Sequence, residues 1–202
     1  MRYAQITGWG KYAPPLLMTN DDMAKVVDTS DEWIYSRSGI RQRHYSHVST
    51  GEMAWLAAER ALAAAGVDAD DIDLVVLGST TPEEICPNTA SYIKNKLGAK
   101  KAAAFDLNSA CTSWFYGLNA ATDMIRAGSI SKALVIGSER ISLAMDWNKR
   151  ESCFLFGDGA GAVVIEAADQ RVGLLSAKMS CVPDSRACLH LPNWGMSPAH
   201  LT

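Results

Sequence analysis

Asp106-Leu-Asn-Ser-Ala-Cys111-Thr-Ser-Trp-Phe-Tyr-Gly117 is the stretch from which the rest of the chain can be read. Ahead of it, Ala102-Ala-Ala-Phe-Asp106 predicts a short buried strand. Behind it, Trp114 to Ala127 carries apolar residues at Leu118, Ala121, Met124 and Ile125, the spacing of one helix face. Cys111 therefore falls at a strand-to-helix turn, on or next to the first helical turn. Backbone N–H groups at a helix start lack internal partners, and the helix dipole places partial positive charge there. Both favour a thiolate, the nucleophilic form of cysteine. The same position suits a small buried side chain packing a helix start. Local chemistry leaves both readings open.

Outward from this turn, strands and helices alternate. Tyr3 to Trp9 predicts a strand, and Pro14-Pro15 a loop. Asn20 or Asp21 is a candidate cap for a short helix from Asp22 to Val27. Glu52 to Ala65 predicts an Ala-rich helix closed by Gly66. Asp73-Leu-Val-Val-Leu-Gly78 is an apolar, β-branched run typical of a central parallel strand. A loop follows to Pro87, then a helix from an Asn88 cap to Leu97, ended by Gly98. Lys132-Ala-Leu-Val-Ile-Gly137 predicts another buried strand. The order implies an α/β layered fold with right-handed crossovers.

Phe156-Gly-Asp-Gly-Ala-Gly-Ala162 invites a phosphate-loop reading, which fails because such a loop needs a following helix. Here the strand-like Ala162-Val-Val-Ile-Glu-Ala167 follows, so the glycines are expected to allow a close approach and a turn. Thr29-Ser-Asp-Glu-Trp33-Ile-Tyr-Ser-Arg37-Ser-Gly-Ile-Arg41-Gln-Arg43-His44 mixes an aromatic ring with three arginines. It reads either as a solvated helix and loop anchored by Trp33, or as a purine and phosphate site. His44 and His47 read as a solvated pair, and nothing local marks His190 or His200 as a partner of Cys111.

Composition narrows the class. The chain has 202 residues, 48% hydrophobic and 20% charged, a globular profile. A net charge of −3 gives no support to nucleic-acid binding. No apolar run approaches the roughly 20 residues that span a bilayer. The start shows no signal-peptide core, so a cytoplasmic protein is expected. Five cysteines without CxxC spacing argue against a disulfide framework and against a structural metal site.

Three of these segments and the Cys111 turn occur in an order that resembles 3-oxoacyl-[acyl-carrier-protein] synthase III: Thr29 to Arg41, Ala110-Cys111, Arg150, and Phe156 to Ala162. The resemblance runs from about residue 3 to residue 202. It implies a thiolase-like layered fold, with the N-terminal half at 1–168 and the start of a second half at 169–202. It further implies an acyltransferase of fatty-acid initiation that condenses an acyl-CoA with malonyl-acyl-carrier protein. Cys111 matches the acylated nucleophile, its own N–H part of the oxyanion hole. Trp33 and Arg150 match the pair that sandwiches the CoA adenine, and Thr29 and Arg37 match positions along the nucleotide. Cys86 matches a position that reaches across a homodimer into the partner's acyl pocket. The CoA thioester is substrate, and no cofactor is implied.

The departures qualify this. Ser113 replaces a common glycine and Trp114 a common phenylalanine. Family members are well over three hundred residues long and carry a His and an Asn in their second half, which His190 and His200 do not match. The sequence is accordingly expected to be the first half of a synthase, inactive in condensation by itself. Two alternatives are a non-catalytic CoA-binding or dimerisation half-fold, and a thiolase-superfamily relative with another acyl donor or acceptor.

Overall fold

The computed structural model describes residues 2–182 and 191. Strand β1 (Tyr3–Tyr12) is followed by a short hairpin, β2 (Leu16–Thr19) and β3 (Gln42–Tyr45), with helices α1 (Asn20–Met23) and α2 (Asp31–Ser38) between its arms. Then come α3 (Thr50–Ala65), β4 (Leu74–Gly78), α4 (Thr89–Leu97), β5 (Ala103–Leu107), α5 (Ser113–Ala127), β6 (Lys132–Arg140) and β7 (Asp158–Ala168). The five-stranded sheet has the order β1-β7-β6-β4-β5. Strands β5, β4 and β6 run parallel; β7 is antiparallel to β6, and β1 to β7.

Alternation along the central strands explains their unbroken apolar runs. Leu74 and Val76 of β4, with Ala133 and Val135 of β6, pack on Leu118, Ala121 and Ile125 of α5. Val75, Leu77, Leu134 and Ile136 point the other way, into the alanines of α3 and Ile93 of α4. Both faces are covered, so no position in the run can be polar. Each buried Leu, Ile or Val contributes roughly 1.5–3 kcal/mol. Helix α3 lies very close to β1: a Cβ on Gly10 would stand 2.2 Å from the Ala57 carbonyl oxygen. Only the small side chains of Ala57 and Ala61, opposite glycine, permit that approach.

Several expectations need correction. The capping residue of α1 is Thr19, in a reciprocal capping box with Asp22, so the helix starts two residues early and is only four long. The Asn20 side chain serves elsewhere: its amide donates to Asp31 and to the Ile40 carbonyl and accepts from Arg43. The glycines after Phe156 do not form a turn before a strand. Gly159 and Gly161 lie inside β7, with Gly161 paired to Gly137 on one side and Lys11 on the other. His44 is half-buried, its Nδ1 on the Pro14 carbonyl, rather than solvated. The remaining helix ends are as the glycines indicate, with Gly66 and Gly98 left-handed at φ 66° and 78°.

Candidate active site

Cys111 lies one residue before Thr112, the cap residue of α5, and its side chain is exposed. The turn is tight. Ala110 has φ 49°, the one positive value among the described residues other than glycine. The Thr112 and Ser113 N–H groups are taken by the carbonyls of Ser109 and Ala110, and the Ser113 hydroxyl ties Ser109 N–H to the Ala110 carbonyl. The turn is thus held by its own bonds, and the thiol faces an open cleft of about 300 Å³. Gly78, Trp114, Gly137 and Glu139 are among the residues lining it. The cleft therefore opens at the carboxyl ends of the parallel strands β4 and β6, where open α/β sheets place their ligands. A side chain on Gly78 would come within 2.7 Å of the Ser113 and Trp114 backbone, so glycine is what lets α5 start at this mouth.

A second constellation forms around Trp33. Its ring is half-buried and meets Phe154 edge-on at 5.4 Å. The Arg37 and Arg150 guanidiniums lie 4.4 and 4.5 Å from the ring centroid. Arg150 is held by the Asp28 carbonyl at 3.0 Å. Trp33, Arg37 and Arg150 are therefore brought together across more than a hundred residues. Arg150, however, stacks on Trp33 itself. The Thr29 hydroxyl, in the adjacent turn, is buried with no partner among the described residues. Beneath lies a small apolar cluster of Met23, Ile34, Cys153 and Phe154. Burial pushes the Cys153 thiol up, which keeps it protonated and inert. Buried Arg43 locks this cluster to the hairpin through the Met18 and Phe154 carbonyls.

Cys86 sits on the exposed loop between β4 and α4, before a cis proline, and does not line the Cys111 cleft. His190 and His200 lie outside the described residues. Among the described residues no group of His, Cys, Asp and Glu could hold a metal ion, and no helix is long and apolar enough to cross a membrane.

The sequence profile of the 3-oxoacyl-[acyl-carrier-protein] synthase III family matches residues 105–183, the segment that holds the Cys111 turn. A beta-ketoacyl-[acyl-carrier-protein] synthase III of Vibrio cholerae is 49% identical over 193 residues, covering 96% of this chain and 53% of that protein. The crystal structure of the Aquifex aeolicus 3-oxoacyl-[acyl-carrier-protein] synthase III superposes with a TM-score of 0.82 at 41% identity, over 83% of this chain and 55% of that one. That of the Pseudomonas aeruginosa enzyme gives 0.79 at 43%, over 83% and 52%. The chain is a partial member of the 3-oxoacyl-[acyl-carrier-protein] synthase III family. It spans about half the length of the curated relatives it matches.

Within this synthase III fold, sequence reasoning missed three polar anchors. Asp158, inside the glycine run, accepts from the Ser46 and Ser142 N–H groups and from the Ser142 hydroxyl. Asp106 accepts from the Thr89 and Ala90 N–H groups and so caps α4 from a neighbouring strand. Glu139 accepts from Thr80 and Thr81 beside the cleft. The only signal available for each was a carboxylate set in a glycine-rich or apolar strand.

Proposed function

We propose that the chain supplies the acyl-accepting half of a 3-oxoacyl-[acyl-carrier-protein] synthase III reaction. The Cys111 thiolate attacks the carbonyl of an acyl-CoA, the bond to the CoA sulfur breaks, and the released CoA thiolate takes a proton from solvent. Malonyl-acyl-carrier protein then loses CO2, and its carbanion attacks the Cys111 thioester. The C–S bond breaks, Cys111 returns as a thiolate, and 3-oxoacyl-acyl-carrier protein leaves. The observation that carries this reading is Cys111 exposed in a cleft at the start of α5, on the carboxyl side of β4 and β6. Cys111 N–H is proposed as one donor to the thioester oxygen.

CoA is the proposed acyl donor, held by Trp33, Arg150, Arg37 and Thr29. Because Arg150 already stacks on Trp33, an adenine that enters between them must displace it. No cofactor is proposed beyond the CoA thioester. We further propose a homodimer, with Cys86 at the partner's acyl pocket, in the cytoplasm. Among the described residues β5 forms the sheet edge and leaves one row of backbone groups without a strand partner, which supports association there. The division into 1–168 and 169–202 is retained as a proposal; β7 ends at Ala168.

The donor assignment is tested by titrating CoA into the chain. Trp33→Ala should weaken binding by roughly 1–3 kcal/mol, the scale of base stacking on an aromatic. Arg150→Ala should weaken it non-additively, since both groups grip one ring. CoA binding untouched by either change removes the adenine clamp, and a parent chain that does not bind CoA favours another donor.

A further inference from the structure

The pairing of β4 with β6 stops at Gly78 and Gly137, yet β6 continues to Arg140. Beyond that point one side chain takes over from the ladder. The Glu139 carboxylate accepts from Thr80 N–H at 2.7 Å, from the Thr80 hydroxyl at 2.9 Å and from the Thr81 hydroxyl at 2.7 Å. The Thr81 hydroxyl in turn accepts from Arg140 N–H at 2.9 Å. Glu139 also lines the Cys111 cleft, with Gly78 and Gly137. Beyond the last β4–β6 pair, these side-chain bonds are what join the two strand exits beside the cleft.

We infer that Glu139 is a positioning residue that staples the exit of β4 to β6, and so sets the width of the Cys111 cleft and the size of acyl group it admits. The statement that an acyl group occupies the cleft rests on the proposed function; the staple does not. The same staple fixes the start of the loop that carries Cys86. Three charge-assisted bonds hold the carboxylate, so the role lies in geometry and not in proton transfer.

The test uses reagents that need no acyl transfer. N-ethylmaleimide and N-octylmaleimide are reacted with the 202-residue chain, and modification is read on the Cys111 peptide by mass spectrometry. Glu139→Ala should raise the octyl-to-ethyl rate ratio at Cys111 about fivefold, the scale of one net hydrogen bond. Thr80→Val, which keeps the backbone bond and loses the hydroxyl, should shift it in the same direction and decides the matter if Glu139→Ala does not fold. Glu139→Gln can still bridge both hydroxyls and should restore the ratio to within about twofold of the parent. A ratio unchanged in both Thr80→Val and a folded Glu139→Ala overturns the inference. So does Glu139→Gln behaving like Glu139→Ala, which would assign the effect to charge. If the parent takes no acyl group from acyl-CoA, that counts against the proposed function, and the maleimide ratios still decide the staple.

Discussion

Tyr45 packs edge-on against Trp147 with ring centroids 5.6 Å apart, and its buried hydroxyl has no partner among the described residues. Burial pushes its phenol up from 10.0 to about 12, with the nearby Arg43 acting in the opposite sense. The folded state thus holds the proton more tightly than the unfolded one. The stability this represents is fully present below pH 10 and is lost as pH rises through about 12. Tyr45→Phe should leave the urea midpoint at pH 8 nearly unchanged, because an unpaired hydroxyl contributes little. At pH 11 the variant should exceed the parent by roughly 1 kcal/mol relative to that baseline. An equal alkaline loss in both proteins would show that Tyr45 does not titrate in this way. At this scale the residues proposed for the site were the legible ones. Cys111, Trp33 and Arg150 are chemically distinctive types, and the first two stand in local patterns that announce a helix start or an aromatic among guanidiniums. Glu139 and Asp158 were not legible. Their roles depend on donors 59 and 112 residues away in the chain, at Thr80 and Ser46, and no local pattern encodes such a distance.

The β1–α3 contact shows how far an element's sequence constrains its neighbour. Gly8 and Gly10 look like weak points in a strand, yet a Cβ on Gly10 would fall 2.2 Å from the Ala57 carbonyl oxygen and 2.5 Å from Ala61 nitrogen. Backbone atoms cannot yield as a flexible side chain can. Gly10→Ala should therefore cost about 3 kcal/mol, the upper range for overpacking, read as a lowered urea midpoint with unchanged slope. A midpoint equal to the parent's would mean that α3 moves off the sheet freely. Most elements could be placed from sequence: β4, α4, α5 and the glycine stops at Gly66 and Gly98 follow from periodicity and capping. The β2–β3 hairpin could not, since its arms are separated by α1 and α2 and neither alternates cleanly. The glycines of β7 misled because glycine is read as a turn former. Here Gly161 is held by ladders on both sides, where the lack of a side chain costs least.

For the whole molecule, the layered α/β class followed from the alternation of strands and helices around the Cys111 turn. The sheet order did not. β1 and β7 are neighbours although their pairing joins the two ends of the described core, Tyr3 with Ala168. That antiparallel edge completes a sheet that was otherwise expected to be parallel, and β6 reaches past β4 at the cleft because β7 continues beside it to Asp158. The architecture thus leaves one cysteine at the cleft mouth, one buried beneath Trp33, and two exposed elsewhere among the described residues. This arrangement makes selectivity among cysteines the sharpest test of the proposed chemistry. The 202-residue chain would be incubated with acetyl-CoA, and acetyl groups mapped by peptide mass at mildly acidic pH, beside Cys111→Ala. The expected result is a thioester on Cys111, with none on Cys86, Cys153 or Cys181, and no cysteine acetylation in the variant. Acetylation spread over Cys86 and Cys181 as readily as Cys111, or persisting in Cys111→Ala, would contradict the assignment of Cys111 as the acyl-accepting nucleophile.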